Sequence, residues 1–369
     1  MSRNPQVTVL MPCFNGGPYL RPAIESILHQ THRDFEFLII NDCSTDDSLE
    51  TIRSFGDPRI RVHTNERNMG QTKSLNVGLQ LARGKYVVIN DADDLSLPGR
   101  IEQQLQFMLR NEDCAVVGGA CYIMDRSGRI TRLFNKPVDP RRITLQILSD
   151  TPLVHGSVMM NRAIILGRGG YNEDFRICQD YELWSSLVRD GVRIGNMPDV
   201  LAVIRHYMDS ISFKESDAQT QENGRTILAN VAALTGMSIT TEEAIRQRLF
   251  FFAPQVLSVT AFRKAADLFR KEYEQLNPVC GADEGFVRQD LKRRMIKPYS
   301  KMAMAKFEEG DLAEARRCAG AYLSGYGFSL IPFLLWTMSH VGPRTFHASL
   351  HAHGKLQHLK ATIKRFLHI

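Results

Sequence analysis

The stretch from Tyr86 to Asp94 limits the fold of this chain more than any other. An apolar run of strand length, Tyr86–Ile89, is followed at once by Asn90 and then by three carboxylates, at Asp91, Asp93 and Asp94. In open α/β sheets, ligands bind at the carboxyl ends of the strands. Carboxylates this close repel one another once partly desolvated, so they need a cation or hydrogen-bond donors between them. The stretch therefore predicts a site for a hard divalent metal such as Mg²⁺ or Mn²⁺, or else a solvated acidic turn that caps the next helix.

Strands and helices alternate through the first 95 residues or so. Apolar runs at Val7–Met11, Phe35–Ile40 and Arg59–His63 precede the acidic stretch, and segments of helical periodicity lie between them. This order predicts a parallel sheet with helices on both faces. Because the second strand also ends in polar residues, beginning with Asn41 and Asp42, we expect Asp42 and Asp91 at the same edge of the sheet.

The pattern changes after the first four strands. We predict strands at Val116–Ile123, Ile130–Phe134 and Val154–Met160, a helix from Gln179 to near Gly191, and a strand pair over Arg193–Tyr207. Beyond Phe213 the periodicity is helical, with one helix-turn-helix unit at Lys301–Leu323. The prediction is an α/β domain at 1–213, with halves at about 1–97 and 98–213, and a helical region at 214–369.

Composition favours a soluble globular protein without a nucleic-acid partner. The 369 residues are 23% charged and 43% hydrophobic, which is ordinary for such proteins. Seven cysteines are scattered without paired metal-type spacing, which indicates reduced thiols in a cytoplasm-like compartment. The N-terminal apolar run, Val7–Met11, is too short for a signal-peptide core, and no run reaches the length of a membrane span.

The C-terminal tail holds much of the net charge of +6, because the chain from Arg344 onward has five Lys or Arg and no Asp or Glu. Its helical face of Leu356, Leu359, Ile363 and Phe366 follows the most apolar run, Ser329–Met338. One interpretation is that residues 329–369 dock on an anionic membrane surface, placing a cytoplasmic protein on the inner face of the membrane. The other is packing on the protein's own domain or on a second subunit, giving an oligomer through the C-terminal helices.

Six short segments occur in an order that resembles the family-2 glycosyltransferases, inverting enzymes of the GT-A fold that use nucleotide-activated sugars. The resemblance covers residues 7 to 213, and the segments that carry it are Val9–Gly16, Ser26–Gln30, Phe35–Asp46, Asn68–Asn76, Ala82–Tyr86 and Asp91–Asp94. It implies a Rossmann-like mixed sheet flanked by helices, which places the chain in the α/β class with an all-helical C-terminal extension.

The resemblance also implies a donor site at the strand ends. Asp42 corresponds to the residue that accepts a hydrogen bond from the uracil ring, and Pro12 and Phe14 to the walls of that slot. Asp91 corresponds to the ribose contact and Asp93 to the ligand of Mn²⁺ or Mg²⁺, which joins it to both phosphates. Lys73 corresponds to a basic residue near the base or the phosphates, although a solvated helix lysine is the alternative.

On the acceptor side, the resemblance implies that Asp180 is the catalytic base, deprotonating the acceptor hydroxyl. The alternative is a helix-terminal acid that is favoured by the helix dipole. Trp184 is a candidate stacking platform for a sugar, His155 a candidate acceptor-side residue or a structural histidine, and Arg205 a candidate phosphate or acceptor contact. The family pattern after Arg205 is matched only in part, because His206 falls one residue early. We therefore assign His206 no role.

The predicted function is therefore transfer of a sugar from a nucleotide-sugar donor, with UDP-sugars preferred, to a glycan or lipid-linked saccharide acceptor in polysaccharide or cell-surface glycan biosynthesis. A sugar-nucleotide pyrophosphorylase, a type of nucleotidyltransferase, is one alternative. It would need a glycine-rich loop bearing Arg or Lys near the N-terminus, and Pro12–Pro18 contains neither basic residue. A catalytically inactive scaffold is another, suggested by Gln179 in place of the family's glutamate and by the shifted His206.

Overall fold

A computed structural model describes residues 5–206, 216–276 and 281–341. The chain divides into two compact units, residues 1–230 and 231–369. The domain boundary predicted near Phe213 and the basic tail helix predicted around residues 355–366 lie outside the described residues.

The first unit alternates strands and helices, as the sequence predicts. Its strands are β1 Val7–Cys13, β2 Phe35–Asn41, β3 Ile60–Thr64, β4 Tyr86–Ile89, β5 Leu95–Ser96, β6 Cys114–Met124, β7 Ile130–Phe134, β8 Met159–Asn161 and β9 Arg193–Arg205. Its helices are α1 Leu20–Leu28, α2 Ser48–Arg53, α3 Gln71–Leu81, α4 Arg100–Arg110, α5 Pro140–Gln146, α6 Arg162–Leu166 and α7 Gln179–Arg189. Helix α8, Ser216–Thr235, crosses the division between the units.

One mixed sheet of nine strands organises the described part of this unit, in the order β3-β2-β1-β4-β8-β6-β9-β5, with β7 paired to β6. The first four strands in that order are parallel, and β8 is antiparallel to both of its neighbours. Strands β1, β2 and β4 are buried along their whole length, because apolar clusters cover both faces of the sheet. The predicted α/β class is confirmed.

The parallel pairing sets the position of the two acidic strand ends. Strand β1 lies between β2 and β4, with Met11 opposite Ile39 and Leu10 opposite Ile89. Asp42 and Asp91 follow β2 and β4 almost directly, so both lie at the carboxyl edge of the sheet, as predicted.

Two strand predictions were wrong. The segment Arg193–Arg205 is one strand, paired in parallel with β6, and not a strand pair. Its register shifts opposite Gly118 and Ala120, where Asn196 gives way to Val200, so a bulge accommodates Pro198 within a continuous strand. The segment Val154–Met160 begins as a 3₁₀ turn at His155–Ser157, and only Met159–Asn161 is a strand.

The second unit is helical in its described residues. Its helices are α9 Thr241–Phe252, α10 Val259–Glu274, α11 Glu284–Glu308, α12 Leu312–Tyr326 and α13 Leu330–Val341. Thr240 and Glu243 form a reciprocal cap on α9, and Ser258, Asp283 and Asp311 cap the three helices that follow. The predicted helix-turn-helix corresponds to α11 and α12. Across the described residues, every helix is too short or too polar to cross a membrane.

A buried acid in the second unit gives a test of its stability. Glu272 is fully buried on α10 and accepts a hydrogen bond from Gln247 (2.9 Å), and burial raises the pKa of its carboxyl to about 8. The folded pKa therefore lies above the unfolded value of 4.5. As the pH rises between these values, the unfolded chain ionises while the folded chain keeps its proton, so stability falls.

We predict that Glu272→Gln removes the loss of stability that the wild type shows as the pH rises. The variant should raise the free energy of unfolding at pH 8 by about 2–4 kcal/mol and bring little change at pH 4. Urea unfolding at the two pH values measures the difference. Glu274→Gln, an exposed change two residues away on the same helix, serves as the control. A gain in Glu272→Gln that is equal at both pH values would contradict the assignment.

Candidate active site

The acidic loop after β4 brings two carboxylates together around Gly156. Asp94 is 3% exposed, and its Oδ1 accepts the backbone N–H of Arg205 (2.8 Å). A Cβ atom on Gly156 would lie 2.8 Å from Oδ2 of Asp94 and 3.7 Å from Oδ2 of Asp91. Only glycine therefore fits at residue 156 without displacing the acidic loop.

Arg100 supplies the positive charge behind this loop. Its fully buried guanidinium on α4 donates to the carbonyls of Ile89 (2.8 Å) and Val158 (3.3 Å) and to the Ser96 hydroxyl (2.9 Å). Burial lowers the pKa of Arg100 to about 10, and the charge of Asp94 opposes that shift. Arg100 thus stays cationic at neutral pH and ties the acidic loop to β4.

Negative charge still exceeds positive charge at the front of the loop. Burial raises the pKa of Asp94 well above its usual range, and the charges of Asp93 and Asp91 raise it further. In the described residues, no three His, Cys, Asp or Glu side chains are grouped as a complete metal site. Carboxylate oxygens suit a hard divalent cation, and one held by few protein ligands would complete its shell with phosphate oxygens or water. The donor set therefore fits such a cation.

Arg205 braces the same loop from β9. Its Nε donates to the carbonyl of Asp93 (3.3 Å), and its guanidinium lies 4.1 Å from the centre of the Tyr19 ring. The residue predicted to contact a phosphate or the acceptor thus lies beside the acidic loop.

The predicted slot for the nucleotide base lies at the end of β2. Asp42, 3% exposed, accepts hydrogen bonds from the Asn65 side chain (2.7 Å) and from the backbone N–H groups of Met69 (2.9 Å) and Gly70 (2.8 Å). A carboxylate has about four acceptor sites, so one is left for a ligand. Asp42 therefore also fixes the loop that leads into α3.

The other predicted nucleotide residues differ in exposure. Pro12 is buried in β1, whereas the Phe14 ring is 50% exposed and free to line a slot. Lys73 is exposed on α3, and no described side chain pairs with it, which agrees with either of its two interpretations.

Asp180 is the second residue of α7 and is partly exposed. Burial raises the pKa of its carboxyl, and the charge of nearby His155 opposes the shift. A carboxylate with a raised pKa is a stronger proton acceptor than an ordinary aspartate.

The neighbours of Asp180 correct one prediction. Trp184 is fully buried, with its ring centre 6.4 Å from that of His155 and 6.5 Å from that of Tyr171. It packs in the core and is not an exposed platform for a sugar. His155 is half-buried and shares a 3.0 Å hydrogen bond with the Tyr171 hydroxyl, so the structure gives it a fixed orientation beside Asp180.

Two connections join Asp180 to the acidic loop. Gln179 donates to Gln71 (3.4 Å), which donates to Oδ1 of Asp91 (3.0 Å). Burial raises the pKa of Tyr171 well above its usual range, and the charges of Asp180 and Asp91 add to this effect. The hydrogen bonds through Gln71 therefore join the start of α7, where the predicted base lies, to the predicted ribose residue Asp91.

Sequence reasoning missed Arg100, Gln71, Gly156 and Tyr171. Each acts through contacts outside its own segment of the chain, and Gln71, although it lies within the segment Asn68–Asn76, was given no role there. The nearest available signal was a lone arginine directly after the acidic stretch, at the start of an amphipathic helix.

Comparison with known proteins places the chain in a family. The model named Glycosyl transferase family 2 matches residues 8–169. Putative glycosyltransferase EpsE of Bacillus subtilis is 31% identical over 220 residues, covering 58% of this chain and 77% of EpsE. The UDP-Glc:alpha-D-GlcNAc-diphosphoundecaprenol beta-1,3-glucosyltransferase WfgD of Escherichia coli is 28% identical over 185 residues, covering 50% of this chain and 70% of WfgD.

Two solved structures share the fold. TarS of S. aureus, residues 1–349 in complex with UDP-GlcNAc, aligns with a TM-score of 0.53 and 14% identity over 87% of this chain and 89% of TarS. The mannosyltransferase PcManGT of Pyrobaculum calidifontis, in complex with GDP-Man and Mn²⁺, aligns with a TM-score of 0.50 and 18% identity over 99% of this chain and 86% of PcManGT.

The fold and the family matches define a glycosyltransferase with a GT-A sheet. The chain belongs to the family-2 glycosyltransferases. This confirms the predicted family and fold and favours them over a pyrophosphorylase.

The buried arginine behind the acidic loop gives a test of the site's architecture. We predict that Arg100→Met destabilises the protein by about 3–5 kcal/mol, because it leaves the carbonyls of Ile89 and Val158 and the Ser96 hydroxyl without their donor and removes the positive charge that favours ionised Asp94. Urea unfolding measures the loss. Arg110→Met, an exposed change on the same helix, is the control. Adding Asp94→Asn to Arg100→Met should recover part of the loss, and a purely additive double variant would contradict the electrostatic explanation.

Proposed function

We propose that this protein is an inverting, divalent-metal-dependent glycosyltransferase that moves a sugar from a nucleotide sugar to a glycan or lipid-linked saccharide in cell-surface glycan biosynthesis. The observation that carries the proposal is the hydrogen-bond chain between the start of α7 and the acidic loop, in which Gln179 donates to Gln71 (3.4 Å) and Gln71 donates to Asp91 (3.0 Å). A donor held at the acidic loop would therefore present its sugar to Asp180, the carboxyl whose pKa is raised by burial.

In the proposed mechanism, Asp180 takes the proton of the acceptor hydroxyl as its oxygen attacks the anomeric carbon. A bond forms between that oxygen and the carbon as the bond from the carbon to the nucleoside diphosphate breaks on the opposite face. Asp93, with Asp91 beside it, would hold a divalent cation that offsets the charge on the departing diphosphate. Asp42 and Phe14 would hold the nucleotide base of the donor. His155 would keep Asp180 oriented.

The donor and acceptor classes rest on the compared proteins. WfgD is named for a UDP-glucose donor and a diphosphoundecaprenol-linked acceptor, and TarS was solved with UDP-GlcNAc. PcManGT was solved with GDP-Man and Mn²⁺. These names support a UDP-sugar as the first donor to test, a GDP-sugar as the second, and Mn²⁺ ahead of Mg²⁺.

A donor screen that detects released nucleoside diphosphate tests the proposal, and two variants assign the roles. We predict that Asp180→Asn lowers kcat by about 10²–10⁴-fold with little change in UDP affinity, because only proton transfer is lost. Asp93→Asn should lower both activity and the Mn²⁺-dependent part of UDP binding, measured by calorimetry.

Asp34→Asn, an exposed change of the same type, is the control and should behave as the wild type. Full activity in both active-site variants would refute the assignment of the site. A wild-type chain that binds no UDP with Mn²⁺ and turns over no donor would favour an inactive scaffold.

We also propose that the C-terminal region docks on an anionic membrane surface, where a lipid-linked acceptor would lie. Exposed aromatic rings support this, since Phe328 is 66% exposed and Phe333 on α13 is 38% exposed, with ring centres 5.4 Å apart. The chain beyond them is rich in Lys and Arg and lacks acidic residues. Apolar rings beside positive charge favour an anionic bilayer.

Vesicle sedimentation tests the docking. Binding to phosphatidylglycerol vesicles should exceed binding to phosphatidylcholine vesicles, and Phe328→Ser with Phe333→Ser should weaken it. Equal binding to both lipids would contradict the proposal. A dimer in light scattering that the same double variant dissociates would instead assign these rings to a second copy of the chain.

A further inference from the structure

A single carboxylate binds the chain just before the helix that carries Asp180. Glu222 on α8 is 8% exposed; its Oε1 accepts the N–H of Arg176 (2.9 Å), and its Oε2 accepts those of Ile177 (3.0 Å) and Cys178 (2.8 Å). Cys178 is the N-cap of α7 and makes no side-chain cap of its own. Glu222 therefore provides, from a distant helix, acceptors for the three N–H groups that directly precede the first residue of α7.

Other residues of α8 hold the same segment. The Arg225 guanidinium lies 4.3 Å from the centre of the Phe175 ring and donates to the carbonyl of Asp174 (2.9 Å). At the far end of α7, Asn230 donates to the Ser185 hydroxyl (3.0 Å) and accepts from Arg189 (2.7 Å). Helix α8 thus contacts both ends of α7 and the loop that precedes it.

We propose that Glu222 is a positioning residue for the reaction, one that fixes the first turn of α7 and with it the Asp180 carboxylate. The inference rests on the proposed role of Asp180 as base. Charge-assisted hydrogen bonds to three successive N–H groups leave the start of α7 little freedom. Without Glu222, these N–H groups lose their acceptor, and they lie two to four residues before Asp180.

The proposal separates effects on turnover from effects on donor binding. In Glu222→Gln and Glu222→Ala, we expect kcat to fall by roughly 10- to 100-fold, because a displacement of about 1 Å at a catalytic group has that effect. The KM for the donor and the affinity for UDP should change little, since the donor loop is not touched. The acidic limb of the kcat–pH profile should move to lower pH, because the freed N–H groups stabilise ionised Asp180.

The control is Asp217→Asn, which removes the same charge from an exposed residue of α8 and should leave every value unchanged. Glu222→Gln keeps the size of the side chain, so it stays informative if Glu222→Ala folds poorly. Wild-type kcat and pH profile in folded Glu222→Gln would overturn the proposal. So would a loss of kcat that disappears when the assay is run well below the melting temperature, which would indicate a purely structural role.

The proposed function and this inference fail in different ways. If the wild-type chain turns over no donor, the proposed function is overturned, and Glu222 has no reaction to position. If the wild type is active, amide hydrogen exchange over residues 174–182 provides a second measurement. Faster exchange at residues 176–178 in Glu222→Gln, together with the loss of kcat, is the expected result. Unchanged exchange would overturn the inference.

Discussion

Repulsion between the carboxylates at the end of β4 is the constraint on which the site depends. Arg100 lies behind them with its guanidinium fully buried, and Arg205 lies beside them. The buried arginine would not be stable without its acceptors, because an unpaired charge in the core costs several kcal/mol, and the same burial favours the protonated form of Asp94. The hydrogen bonds that join Arg100 to β4 and to Val158 therefore make the acidic loop part of the core.

The antiparallel strand next to β4 explains how residues from both halves of the first unit meet at the acidic loop. Strand β8 runs antiparallel to β4, so the residues just before β8 arrive at the same edge where β4 ends. These residues include His155 and Gly156. Gly156 gives the carboxylates room, and His155 lies beside Asp180. A wholly parallel sheet would have brought the amino end of the next strand to the opposite edge.

The features that the sequence predicted are those with a local signal. Buried strands read as apolar runs, and the polar residues after them mark the carboxyl edge, so the positions of Asp42 and Asp91 followed from the parallel order. Trp184 had no such signal, because the sequence pattern around an aromatic residue one turn after Asp180 is the same whether the ring is buried or exposed. The continuity of β9 through Pro198 depends on a bulge against β6, which is a tertiary event. Arg100 donates to the Val158 carbonyl 58 residues away, and Glu222 accepts from backbone groups 44 to 46 residues away, so no short window of sequence contains these partners.

The two sides of the proposed reaction are held in different ways. The family match over residues 8–169 contains the donor side, whose carboxylates follow directly from strands of the sheet. Asp180 lies beyond that match, at the start of α7, and the N–H groups of the three residues just before α7 are bound by Glu222 on α8. Rigid strand ends suit the diphosphate and the nucleotide base of the donor, because many nucleotide sugars share these groups. A proposed base held by a separate helix can be repositioned without altering the sheet, which suits acceptors that differ between members of a family.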